Sequence, residues 1–172
     1  MAADNQVTSS RKYNHPKMVK IVERGPYLIA GSGEVAACDI AQHIFNPPAP
    51  TATDKKDLYH FMIAKFVPAL KTCFKDNEYK WQATTDDEWD DTPKFMFLVS
   101  VNGEVFEIAD DMSVCIDDKG IYGIGSGSPI AIGALHAGVD LDKALEIAAK
   151  IDPFTSSPFM KIEQRKNEKR NS

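Results

Sequence analysis

Ile121-Tyr-Gly-Ile-Gly-Ser-Gly-Ser-Pro-Ile-Ala-Ile-Gly-Ala-Leu135 is the stretch on which the fold turns. It reads as a strand that enters a glycine turn and leaves it as a helix. Ser128 suits the N-cap, and Pro129 suits the first helical position, where a missing N–H costs nothing. Gly123, Gly125 and Gly127 clear side chains from a place where backbone amides can approach a ligand.

On either side of this turn the chain repeats a simple order. Lys17-Met-Val-Lys-Ile-Val-Glu23 alternates apolar and charged residues, the pattern of a strand with one buried face. Arg24-Gly-Pro26 turns it, and Tyr27-Leu-Ile-Ala-Gly31 is an apolar strand, so the pair predicts a hairpin. A helix comes after Gly33, with Ala37, Ile40, Ala41 and Ile44 on one face. Prolines 47, 48 and 50 stop it. A second helix runs from about Asp57 to Cys73 on a stripe of Leu58, Met62, Phe66, Ala69, Leu70 and Cys73.

Phe95–Val101 and Glu104–Ile108 flank Asn102-Gly103, the strongest short hairpin signal. Met112–Ile116 predicts another short strand. After the glycine turn and its helix, Asp140 caps a helix with Leu141, Ala144, Leu145, Ala148 and Ile151 on one side. Phe159–Glu163 predicts a last strand, and Met1–Val7 a first. Two blocks of strands, each followed by two helices, point to two sheets stacked face to face with helices outside.

Composition narrows the function. The 172 residues carry a net charge of −5, without the basic footprint of a nucleic-acid binder. No apolar run reaches the ~20 residues of a membrane span. The N-terminus has no signal-peptide core. Cys38, Cys73 and Cys115 are odd in number and far apart, which predicts buried thiols in a reducing, cytoplasmic setting. His15, His43, His60 and His136 show no ligand spacing, so neither a metal nor a cofactor is expected. The acidic run over 76–93, centred on Asp86-Asp-Glu-Trp-Asp-Asp91, reads as a solvated insertion. Residues 164–172 read as a frayed tail behind a single domain over 1–163. Gly31-Ser-Gly-Glu-Val-Ala36 fits a dinucleotide fingerprint in letters, but the strand before it looks like a hairpin arm and no parallel strand returns after one helix.

Asp4, Lys20, Asp152 and Thr155 gain meaning beside the Gly-Ser-Gly turn. The alternation of 17–23 puts Lys20 on an apolar face, where it needs a carboxylate partner, and Asp4 on a neighbouring strand can supply one.

Met1-Ala-Ala-Asp-Asn-Gln-Val-Thr-Ser, Lys17-Met-Val-Lys-Ile, Tyr27-Leu-Ile-Ala-Gly-Ser-Gly, Gly123-Ile-Gly-Ser-Gly-Ser-Pro-Ile-Ala, Ala144-Leu-Glu-Ile-Ala-Ala and Asp152-Pro-Phe-Thr-Ser-Ser-Pro-Phe together resemble proteasome β-type subunits. That group includes bacterial HslV and the small proteasome-like hydrolases of bacteria and bacteriophages. The resemblance implies an α+β fold, the four-layer αββα sandwich of N-terminal nucleophile hydrolases. It implies a threonine-type endopeptidase that works as a homo-oligomeric ring on peptides or unfolded proteins, often fed by an ATP-driven unfoldase. It assigns Asp4 and Lys20 to the family's catalytic carboxylate and lysine, at the family's separation. It assigns Ser126 to the serine of the Gly-Ser-Gly turn, and Asp152 and Thr155 to the pair that holds Ser126 and the N-terminal amine. Oxyanion donors fall near Gly31–Gly33. The resemblance begins at the strand carrying Asp4. The family's nucleophilic threonine lies one strand earlier, so the chain as given is expected to lack the attacking atom. An upstream start, an inactive ring or scaffold subunit, and a substitute nucleophile are the three explanations, the first being favoured because all five supporting residues remain.

Overall fold

The structure is a computed structural model of the chain, and it describes residues 1–8, 12–13, 18–81 and 94–164. Strand β1 (Ala2–Asp4) pairs with the far end of the chain, antiparallel to the last strand at Phe159–Lys161. Two short strands come next, β2 (Val7–Thr8) and β3 (Lys12–Tyr13), which pair with each other. The main sheet is five antiparallel strands in chain order: β4 (Ile21–Arg24), β5 (Tyr27–Gly33), β6 (Phe95–Val101), β7 (Glu104–Ala109) and β8 (Val114–Cys115). The last strand is β9 (Phe159–Lys161). Asn102 and Gly103 turn β6 into β7 with φ of 51° and 90°, the left-handed pair that a tight hairpin needs.

Helices cover the sheets from both sides. Helix α1 (Val35–Asp39) continues as a π-helical turn, Ile40–Ile44. Helix α2 (Leu58–Phe61) continues through a second π-helical turn, Met62–Phe66, into α3 (Val67–Asp76). Helices α4 (Ser128–His136) and α5 (Leu141–Ile151) lie together on the β1–β9 side. The Asp140 side chain accepts the Lys143 N–H at 2.9 Å and caps α5 as its sequence predicts.

The period-2 geometry of β5 and β6 builds two cores. Tyr27, Ile29, Phe95, Phe97, Val99 and Val101 point to the α1–α3 side, among Phe45, Phe61, Phe66 and Phe74. Leu28, Ala30 and Leu98 point the other way and, with Ile21, meet Met1, Ala3, Tyr122, Ile124, Met160 and Ile162. The layers therefore run helix, sheet, sheet, helix. Cutting Phe97 to Ala in the first core costs about 3–5 kcal/mol by loss of buried surface and the cavity left behind.

The order of layers is as expected, but the strand blocks do not each make one sheet. The main sheet draws β4 and β5 from the first block and β6–β8 from the second, while β1 crosses to β9. Ile121–Ile124, expected as a strand, joins no ladder among the described residues, although Tyr122 and Ile124 pack in the second core. The start of helix α4 differs by one residue from the expectation: Gly127 is its N-cap and Ser128 its first residue, because the Ser128 N–H already bonds Gly125 O at 3.0 Å. Pro129 still sits in the first turn, where N–H groups lack partners anyway. Ile44, expected in the α1 stripe, is 53% exposed, while Gln42 is 3% exposed. The π turn explains both, since the Phe45 N–H bonds Ile40 O, five residues back, and the extra residue shifts the helical phase. Ile151, at the end of the α5 stripe, is 65% exposed. Against the expectation of three buried thiols, Cys38 and Cys73 are half-buried and Cys115 is exposed, on the outward face of the edge strand. Gln164, expected to begin a frayed tail, accepts from Ser100 Oγ and the Gly103 N–H and donates to Pro26 O and Ser100 O. Of the acidic insertion expected over 76–93, residues 82–93 lie outside the described residues, as does the tail over 165–172. The described part is not a purely solvated loop, since Asp76 ends α3 and Tyr79 and Trp81 pack against the first core. No helix among the described residues is long and apolar enough to cross a membrane.

Candidate functional site

Lys20 stands in a bend one residue before β4, not inside a strand as the alternation suggests. Its ammonium nevertheless meets the predicted partner: Nζ donates to Asp4 Oδ2 at 2.8 Å. Both side chains are largely covered, at 26% and 13% exposed. The other oxygen, Asp4 Oδ1, accepts the Gln6 N–H at 2.7 Å. This Asx turn orients the carboxylate so that Oδ2 is left for the lysine.

The second cluster gathers on Asp152. Its Oδ2 accepts from Ser126 Oγ at 2.7 Å and from Thr155 Oγ1 at 2.6 Å, and its Oδ1 accepts the Phe154 N–H at 3.2 Å. Asp152 and Thr155 are each 8% exposed. Burial by itself pushes the Asp152 carboxyl up, but the hydrogen bonds from Thr155, Ser126 and Phe154, with the positive charge of Lys20, outweigh it and hold the carboxyl below its ordinary value. The turn before α4 makes this meeting possible. A Cβ on Gly127 would strike Thr155 Oγ1, and Gly125 has φ of 91° with Ser32 Oγ close by.

Lys20 and Ser126 open onto one cleft of about 550 Å³, walled by Ser32, Val35, Cys38 and Gln42. All five residues singled out in the sequence thus fall around one place, as an ion pair and a hydroxyl–carboxylate cluster. Gln6 joins the two: its backbone serves Asp4, and its Nε2 donates to Pro153 O at 3.4 Å beside Asp152. The oxyanion expectation fares less simply. The Gly31 N–H is taken by Lys20 O at 3.2 Å and the Glu34 N–H by Lys94 O at 2.7 Å.

Burial raises the Cys38 thiol to about 11, aided by Asp39 and opposed by Lys20, so it faces the cleft as a neutral group. Among the described residues no three His, Cys, Asp or Glu side chains gather as a metal site. The dinucleotide reading of Gly31–Ala36 fails on topology. Strand β5 lies between β4 and β6, antiparallel to both, so no parallel crossover leaves it.

Gln6 and Gln42 are two polar residues of the site that sequence reasoning passes over. The Gln6 backbone is open to it, because an Asp can accept the backbone N–H two residues on in an Asx turn. Gln42 is not, because regular helical spacing places it away from the apolar face.

No protein-family model matches the chain, and no curated protein matches its sequence. Solved structures do match. Thiobacillus denitrificans BPH, in complex with epoxomicin, superposes with a TM-score of 0.66 at 19% identity, over 92% of this chain and 88% of that one. HslV from Trypanosoma brucei gives 0.54 at 23% identity over the same shares. Anbu, the ancestral beta-subunit, from Yersinia bercovieri gives 0.56 at 9% identity, over 92% of this chain and 73% of that one. The layer order and these three likenesses agree: the chain has the proteasome-like N-terminal nucleophile hydrolase fold.

Proposed function

We propose that this chain is a subunit of a proteasome-like, ring-forming threonine-type endopeptidase of the cytoplasm. The observation that carries the reading is the Lys20–Asp4 ion pair, 2.8 Å long, opening onto the same cleft as Ser126. An ammonium held there favours the deprotonated form of a nearby hydroxyl nucleophile.

The nucleophile in this reading is the Oγ of an N-terminal threonine on a strand laid along β1. Two features support a strand in that place. Among the described residues β1 has a ladder partner on one edge only, β9. Helix α4 is apolar through Pro129-Ile-Ala-Ile-Gly-Ala-Leu135, yet none of its residues is buried. The threonine Oγ attacks the peptide carbonyl while its α-amine takes the hydroxyl proton. The carbon–nitrogen bond breaks, the proton passes to the leaving amine, and an ester remains. Water, deprotonated by the same amine, then hydrolyses the ester. The amine's ordinary pKa near 8 suits both steps. Asp152 holds Ser126 beside the amine, with Thr155 bracing the carboxylate. Rings of such subunits enclose a chamber for unfolded protein, which an ATP-driven unfoldase feeds.

A second reading of the same fold is a non-catalytic ring or scaffold subunit. The Met1 nitrogen and carbonyl both bond Ile162, at 2.8 and 2.9 Å, a ladder step along the β1–β9 pair that either kind of subunit makes. Reading the coding sequence ahead of Met1 separates the two. An in-frame Met-Thr-Thr or its equivalent supports the peptidase, and a stop codon directly ahead of Met1 supports the scaffold.

A further inference from the structure

Gln42 lines the same cleft as Lys20 and is 3% exposed, yet the peptidase chemistry does not use it. Its Nε2 donates to Lys20 O at 2.8 Å and to Ile29 O at 3.2 Å. Two carbonyls in front of the carboxamide admit only its NH₂ group, so the side chain's orientation is fixed by its partners. Lys20 needs such a hold. It sits in a bend, and the β4–β5 pairing begins only at Ile21 opposite Ala30. Besides Gln42, the donor to its carbonyl is the Gly31 N–H at 3.2 Å.

The backbone of α1 is built to deliver this contact. Without the π turn at Ile40–Ile44, regular spacing from Ala37 would bury Ile44 and carry Gln42 to the side. The extra residue sends Ile44 outward at 53% exposed and brings Phe45 in at 2%. Gln42 is thereby turned onto the sheet end where Lys20 begins. π turns recur at functional sites because they re-aim a side chain at a cost in helix stability.

We propose that Gln42 is a positioning residue for Lys20, fixing the lysine backbone so that Nζ stays on Asp4 and faces the cleft. The catalytic use of that positioning rests on the peptidase reading, but the positioning itself does not. The test is Gln42→Met, which keeps the volume and removes both donors, read by NMR of the lysine Nζ groups in the full chain. In the unmodified chain the Lys20 Nζ signal stands apart from those of exposed lysines. In Gln42→Met it joins them, while the chain still melts cooperatively. A Lys20 signal left in place in a folded Gln42→Met overturns the proposal, because a merely structural glutamine lowers stability without freeing the lysine. A second measurement needs no variant. The Gln42 carboxamide protons of the unmodified chain exchange with water at least about tenfold more slowly than those of exposed glutamines; exchange at the exposed rate also overturns it. Movement of the Lys20 signal without any peptidase turnover in any version would sink the peptidase reading and support the positioning.

Discussion

Gly127 and Thr155 are packed so closely that a single methyl group on Gly127 would collide with the Thr155 hydroxyl. The hydroxyl cannot retreat without leaving Asp152 Oδ2, 2.6 Å away. Gly127→Ala therefore breaks the Ser126–Asp152–Thr155 cluster from outside it. Overpacking and a lost buried hydrogen bond together cost about 2–4 kcal/mol. Denaturant unfolding checks this, and Gly133→Ala, where a Cβ meets nothing, is the control with little or no loss.

The same cluster sets a pH dependence. Burial acts to raise the Asp152 carboxyl, but its hydrogen bonds and the Lys20 charge lower it overall. A carboxylate whose folded pKa lies below its unfolded value, about 3.9, adds stability that is fully present above that value. This contribution fades as pH falls through the folded pKa. The stability gap between the unmodified chain and Asp152→Asn is accordingly widest near neutral pH and narrows in acid. Urea titrations at several pH values measure it, and a gap that stays constant into acid contradicts the assignment.

The cysteines differ in reactivity. Cys38 is pushed up to about 11, with burial the largest cause, so little thiolate forms at neutral pH. Cys115 is exposed. Iodoacetamide at neutral pH labels Cys115 in the folded chain and spares Cys38, as peptide mass spectrometry reads directly. Equal labelling would show that the cleft wall opens.

Gln164 ties the segment that follows β9 to both hairpin turns. Its carbonyl accepts at 2.8 and 2.9 Å, and its NH₂ donates at 2.8 and 3.2 Å, which uses the amide fully. Gln164→Ala leaves Ser100 Oγ short of a partner and costs about 1–3 kcal/mol. Thermal unfolding measures the loss, and an unchanged midpoint contradicts it.

Much of the architecture is legible in the residues. Asn102-Gly103 announces its hairpin, and the runs Phe95–Val101 and Glu104–Ile108 announce its two strands. The charge on Lys20 calls for Asp4. The features that escape have particular physical causes. The pairing of β1 with β9 is invisible locally, since a three-residue strand carries no signal for a partner at the other end of the chain. The π turn in Ile40–Ile44 breaks the helical period, so a regular helix puts Ile44 inside and Gln42 outside. Gln164 sits in a charged, apolar-poor stretch, and its hold on the turns depends on hydrogen bonds that no hydrophobic pattern records. Asp152 and Thr155 take on meaning only as companions of Ser126, because each alone reads as turn chemistry.

The most direct measurement concerns Lys20. A version of the chain that carries a preceding strand with an N-terminal threonine is assayed for hydrolysis of a fluorogenic peptide, before and after Lys20→Ala. The proposed chemistry predicts measurable turnover that falls by at least about 100-fold in Lys20→Ala, with the circular dichroism unchanged. Full turnover in Lys20→Ala, or none in the threonine-bearing version with its lysine intact, would contradict it.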